Sequence, residues 1–100
     1  MWMICSLSQR KIVGSIDFKD VPNLEKEVEI GYGINKKYWN QGYATLAVEL
    51  ICKFAKSEGI KKILATTTKD NIASQKVLDK NFFDKTKEDD LLFYFEKDLR

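Results

Sequence analysis

The run YWNQGYAT, Tyr38 to Thr45, places a glycine and two side-chain amides where a long apolar segment begins. A helix starting there presents unpaired N–H groups and a partial positive charge. The turn after Gly42 contains no Asp or Glu to occupy them. Gly42 has no side chain and Ala44 a small one, so an anion can approach the main chain closely. The chemistry this predicts is anion holding. Gln41, Gly42, Tyr43, Ala44 and Thr45 form the binding set, chiefly by backbone, with Asn40 beside them. Tyr38 and Trp39 are expected to wedge the turn.

Other chemistries are closed off. The chain has no histidine, which removes Ser-His-Asp and Cys-His nucleophile systems and nearly all catalytic zinc sites. Neither GK[ST] nor GxGxxG occurs, which argues against a P-loop triphosphatase or a Rossmann dehydrogenase. Proton transfer is left to Asp, Glu, Tyr, Lys, Ser or water.

These residues need elements to position them. Residues 2–8 and 11–18 read as strands around a tight turn at Gln9-Arg10, with Gly14 at a bulge. Residues 27–34 alternate cleanly: Glu27, Glu29, Gly31 and Gly33 on one face, Val28, Ile30, Tyr32 and Ile34 on the other. On that first face Gly31 and Gly33 suit a close backbone approach. Residues 42–58 predict a helix so apolar that it is mostly enclosed, with Glu49 and Lys53 as an i,i+4 pair on its wet side and Gly59 ending it. Residues 61–68 are a β-branched strand, which makes a right-handed βαβ crossover and sets 27–34 parallel to it. A second helix covers 71–80, capped by Asp70 or Asn71, and strands at 82–86 and 91–98 flank the charged turn KEDD. In such a sheet, ligands favour the crevice at the C-terminal ends of the parallel strands.

The whole chain bounds the partners. Its 100 residues, 44% hydrophobic, predict one domain spanning 1–100. A net charge of +2 without a basic stripe argues against nucleic acid. No apolar run reaches the ~18 residues of a membrane span. The N-terminus has its apolar part before its basic residues, the reverse of a signal peptide. Cys5 and Cys52 read as reduced, mostly buried thiols of a cytoplasmic protein.

The stretch EIGYGINKKYWNQGYATLAVELICKFA resembles the acetyl-CoA loop and helix of the GNAT acyltransferase superfamily, in its ribosomal-protein and small-molecule N-acetyltransferase branch. NIASQKVLDKNFF is similar to that branch's Asn-x-x-Ser…Lys…Phe segment. The resemblance covers residues from about 2 to 98. It implies an α/β (α+β) fold with a mixed sheet in the order β-β-β-α-β-α-β-β, without the family's usual first strand and first helices. Three positions depart from the pattern. Trp39 stands where Gln or Arg is usual, Phe82 where glycine is, and Leu78 where a general-acid tyrosine is.

The resemblance implies acetyl-CoA as cosubstrate, no metal, and an amine-bearing small molecule or protein N-terminus as acceptor. The anion at Gly42 would be the coenzyme's pyrophosphate. The strand 27–34, through Ile34 and its neighbours, would follow the pantetheine arm, and Trp39 and Asn71 would join the cofactor set. Glu29 matches the family's glutamate and is the candidate base, direct or through water, with Glu27 as its same-face substitute. Ser74 would contact the coenzyme or help protonate the thiolate. Tyr32 and Tyr94 are read as core or cleft-lining aromatics. Two other readings stay open: a coenzyme-binding or interaction module without turnover, and a small structural domain. The apolar edge at 2–8 predicts a homodimer.

Overall fold

Strict alternation over 27–34 produces β3 (Glu27–Ile34), and around it the computed structural model, which describes residues 2–6, 10–38 and 42–99, builds one sheet. β1 (Trp2–Ser6) and β2 (Lys11–Phe18) precede it, and a 3₁₀ turn (Lys36–Tyr38) follows. Then come α1 (Tyr43–Ser57), β4 (Lys62–Thr68), α2 (Ile72–Lys80), β5 (Asp84–Glu88) and β6 (Leu92–Asp98). The sheet order is β1-β2-β3-β4-β6-β5. Every pairing is antiparallel except β3 with β4, as the crossover rule requires.

The element order expected from the sequence holds, and the boundaries shift for local reasons. β1 is described to Ser6, and Gln9 of the expected turn lies outside the described residues. The bulge beside Gly14 is present: Ile4 pairs with Gly14 but Cys5 with Ile12. A Cβ on Gly14 would collide with the Gly33 carbonyl, so this close approach needs glycine. β5 starts two residues later than expected because Asn81, Phe82 and Phe83 finish α2. Phe83 N–H donates to the Leu78 carbonyl at 3.0 Å, and Phe82 takes a left-handed φ of 66°. The final turn follows the KEDD start. Asp89 Oδ1 accepts from the N–H groups of Leu91 (2.9 Å) and Leu92 (2.8 Å).

Both helices cover the same face of the sheet. Val28 and Ile30 of β3, Ile63 and Ala65 of β4, Val48, Ile51 and Ala55 of α1 and Leu78 of α2 form one buried cluster. The helices are tied together where Asn81 Nδ2 donates to the Thr45 carbonyl at 3.1 Å. Enclosure of α1 proves one-sided. Ala47, Val48, Ile51, Cys52 and Ala55 are buried, but Leu46, Leu50 and Phe54 stay exposed, because one sheet meets only one side of the helix. Glu49 and Lys53 pair at 3.8 Å on the wet side. Cys52 is buried and Cys5 is exposed, so only one of the two thiols sits as expected. No helix among the described residues is long and apolar enough to cross a membrane.

The feature that matters most is where the β3–β4 ladder stops. Their register runs only from Glu27↔Lys62 to Glu29↔Leu64. β3 then continues against β2 as far as Ile34, and β4 against β6 as far as Thr68. The two strands part after Glu29 and open a fork toward the helix starts.

Candidate active site

Gly42 is the N-cap of α1, in a left-handed conformation at φ 84° and ψ −2°. A residue with a Cβ is strained there, although the space around the position is open. Among the described residues no side chain caps the helix, and its first turn has no acidic residue. The first N–H groups of such a helix have no partner within it and suit an outside acceptor. The approach to this turn is held from below. Tyr38, 6% exposed, donates its backbone N–H to the Asn35 carbonyl at 2.8 Å and meets the Tyr43 ring edge-to-face at 6.2 Å. Asn35 Oδ1 also accepts from the Lys37 N–H at 3.1 Å. Tyr38 is thus the wedge expected of it. Trp39, Asn40 and Gln41 lie outside the described residues.

A cleft of about 410 Å³ runs from this helix start along the part of β3 that lies beyond its pairing with β4. Tyr32, Gly33 and Ile34 of β3, Gly42, Tyr43, Ala44 and Thr45 of the α1 start, and Asn71 and Ser74 of α2 line it. The structure thereby gathers Ile34, the described part of the anion loop, and the two α2 residues into one cavity. Asn71 is the cap of α2, its Oδ1 accepting from the Ser74 N–H at 3.1 Å. Capping uses only that oxygen, and Nδ2 makes no hydrogen bond among the described residues.

Ser74 is not alone. Its Oγ lies 2.6 Å from Tyr32 Oη, which is also 3.3 Å from the Ser74 carbonyl. Burial pushes the Tyr32 phenol above its ordinary 10.0, with the Ser74 hydrogen bond pulling the other way. The phenol is therefore neutral at physiological pH and able to give a proton. Leu78 is fully buried in the core. The position where the family pattern has a tyrosine does packing here, and the hydroxyl that reaches Ser74 comes from β3 instead. Alternation placed Tyr32 on this face, but its partner 42 residues away has no sequence signal.

Glu29 stands elsewhere. It belongs to the sheet face turned away from the helices, at the last paired position of the fork, and does not line the cleft. Its Oε2 is 3.0 Å from Lys19 Nζ and 3.4 Å from Thr66 Oγ1. Glu27, two residues earlier, pairs with Lys62 at 3.7 Å. Glu29 and the Tyr32–Ser74 pair thus flank the fork from opposite faces of the sheet. Tyr94 Oη donates to Asp89 Oδ2 at 2.7 Å, and that bond raises its pKa, so it serves the last hairpin.

Residues 1–84 match the family model described as Acetyltransferase (GNAT) domain. The chain belongs to the GNAT acetyltransferase family. It is 34% identical over 80 residues to the uncharacterized N-acetyltransferase YjdG of Bacillus subtilis, an alignment covering 79% of this chain and 48% of that protein. The chain therefore spans about half the length of the curated relatives it matches. Among solved structures, a GNAT-family acetyltransferase from Bacillus anthracis superposes with a TM-score of 0.88 at 24% identity, over 97% of this chain and 64% of that one. Mycobacterium smegmatis RimJ in complex with CoA-disulfide superposes with a TM-score of 0.81 at 20% identity, over 90% of this chain and 49% of that one. At such identities these two likenesses speak for the GNAT fold.

Proposed function

We propose that this GNAT chain moves an acetyl group from acetyl-CoA to a primary amine by direct transfer. One observation carries the reading: the acid-free start of α1 shares a cleft with Tyr32 to Ile34, the part of β3 beyond its pairing with β4. The amides at Gly42 to Thr45 take the pyrophosphate, and the pantetheine arm follows β3 past Ile34 with the Asn71 Nδ2 as a donor. This brings the thioester to the fork. The acceptor approaches from the opposite sheet face, where Glu29, directly or through water, takes a proton from the ammonium. The amine nitrogen then attacks the thioester carbonyl and the C–N bond forms, its surplus proton leaves through water to solvent, and the C–S bond breaks. The departing thiolate takes a proton from the Tyr32–Ser74 pair, which water then reprotonates. The relative's name, N-acetyltransferase, supports an amine acceptor, whether small molecule or protein N-terminus.

A thermal shift with CoA tests the site, since a ligand at a hundredfold its Kd adds about 2.7 kcal/mol to native stability. Thiol release across a panel of amines tests the transfer. No shift at millimolar CoA defeats the reading.

A second reading, CoA binding without turnover, is favoured by Leu78 in the tyrosine slot and by the Lys19–Glu29 ion pair. A shift with CoA but no thiol release with any amine selects it. The homodimer expected from the sequence belongs to the same proposal, through the exposed residues Trp2 and Met3 of the edge strand β1. A monomer by light scattering at high concentration removes it.

A further inference from the structure

The donor cleft carries more positive charge than a pyrophosphate on helix amides requires. Lys76 and Lys80 line it from α2, four residues apart and hence on one face of that helix. Neither side chain makes an ion pair or hydrogen bond among the described residues. Elsewhere the lysines that meet carboxylates pair with them: Lys19 with Glu29, Lys62 with Glu27 and Glu96, Lys69 with Glu88. The described lining of the cleft contains no Asp or Glu at all. Two lysines without an ion pair among the described residues therefore border a cavity whose described lining offers them no counter-charge.

The Asn81 bond to the Thr45 carbonyl fixes where they stand. It holds the end of α2 against the first turn of α1, so Lys76 and Lys80 flank the helix start on the side away from Asn71 and Ser74 at the α2 start. An elongated ligand with its thioester at the fork and its pyrophosphate at Gly42 reaches the lysines with the part beyond the pyrophosphate. In coenzyme A that part bears a 3′-phosphomonoester, the one phosphate of the molecule that can carry two charges. Lysine binds such a group as a mobile point charge, with three donors and no demand for planar geometry.

We infer that Lys76 and Lys80 form a cationic clamp for the 3′-phosphate of the acyl donor, making the chain selective for coenzyme A over dephospho-coenzyme A. The inference rests on the donor reading above and extends it to a specificity. The amides recognise what the two molecules share, and the lysines recognise what only one of them has.

The experiment is calorimetric titration of the full chain with CoA and with dephospho-CoA, at low and high salt, for wild type, Lys76→Gln/Lys80→Gln and Lys80→Glu. Wild type is expected to bind CoA roughly tenfold more tightly than dephospho-CoA, because two exposed charges on one dianion contribute about that much. The gap should narrow at high salt. The double variant should lose the gap by weakening CoA alone, and Lys80→Glu should favour dephospho-CoA. Both side chains are exposed, so the variants are expected to fold, and unchanged melting temperatures without ligand check this. Equal affinity of wild type for the two ligands overturns the clamp and leaves the donor reading intact. A gap that survives the double variant overturns the assignment to these lysines. Binding of neither ligand overturns the donor reading and the clamp together.

Discussion

Glu29 is held by Lys19 at 3.0 Å and Thr66 at 3.4 Å, so its carboxylate is oriented at the mouth of the fork before any substrate arrives. Glu27 lies on the same face where the ladder is still closed. Under the proposed mechanism Glu29→Gln lowers acetyl transfer by roughly 10²–10⁴, the usual worth of a positioned base, whereas Glu27→Gln leaves it near wild type. Steady-state thiol release on both variants checks this, and equal losses refute the assignment. Tyr32 has a second consequence, in stability. Its folded pKa is raised by burial, while the unfolded chain ionises near the ordinary 10.0. The stability of the neutral phenol is therefore complete below about pH 10 and falls as pH rises toward the folded value. Tyr32→Phe should flatten that alkaline decline, read as urea midpoints across pH 8 to 11 (roughly the span where tyrosine titrates). Thr67 poses the opposite case. Its buried Oγ1 has no hydrogen-bond partner among the described residues, so the near-isosteric Thr67→Val should stabilise by about 1 kcal/mol in urea denaturation.

At the scale of the element, the two helix ends show how backbone conformation selects residues. Gly42 stands at φ 84°, where a Cβ costs roughly 1–2 kcal/mol. Gly42→Ala should lower stability by about that amount and weaken CoA binding. Gly42→Asp should weaken it further, because its carboxylate competes for the helix start. Phe82 stands at φ 66° past the end of α2 and is 80% exposed. The family pattern has glycine there, and the geometry gives the reason. Phe82→Gly should therefore stabilise by about 1 kcal/mol, a rise of roughly 4–8 °C in Tm for a domain of this size. An unchanged or lower Tm would show that the contact between the ring and Lys97 Nζ, 5.9 Å from its centroid, outweighs the strain.

Across the whole molecule, the helices crowd one face of the sheet and Glu29 stands on the other. Under the proposed mechanism donor and acceptor therefore have separate approaches, and binding of the donor is independent of the acceptor side. CoA should raise the melting temperature of Glu29→Gln as much as that of wild type, and a lost shift in that variant would place Glu29 in the donor cleft instead.

Residue order alone set the elements, because a period of two over 27–34, an apolar run ending in Gly59 and a β-branched 61–68 each allow one local structure. It also set the parallel crossover, and with it the crevice beside Gly42, since right-handed connection leaves little choice. It narrowed the cap of the second helix to Asp70 or Asn71 and read Tyr38 as a wedge from local chemistry. What it left open, or in the enclosure of α1 misjudged, depends on contacts far apart in the chain. The meeting of Tyr32 with Ser74, the separation of Glu29 from the cleft, the burial of Leu78 and the exposure of Leu46, Leu50 and Phe54 follow from how two helices sit on one sheet. Lys76 and Lys80 look like any solvated lysines until Asn81 fastens α2 against α1. Periodicity tells which way a side chain points from its own element; only packing tells what stands opposite.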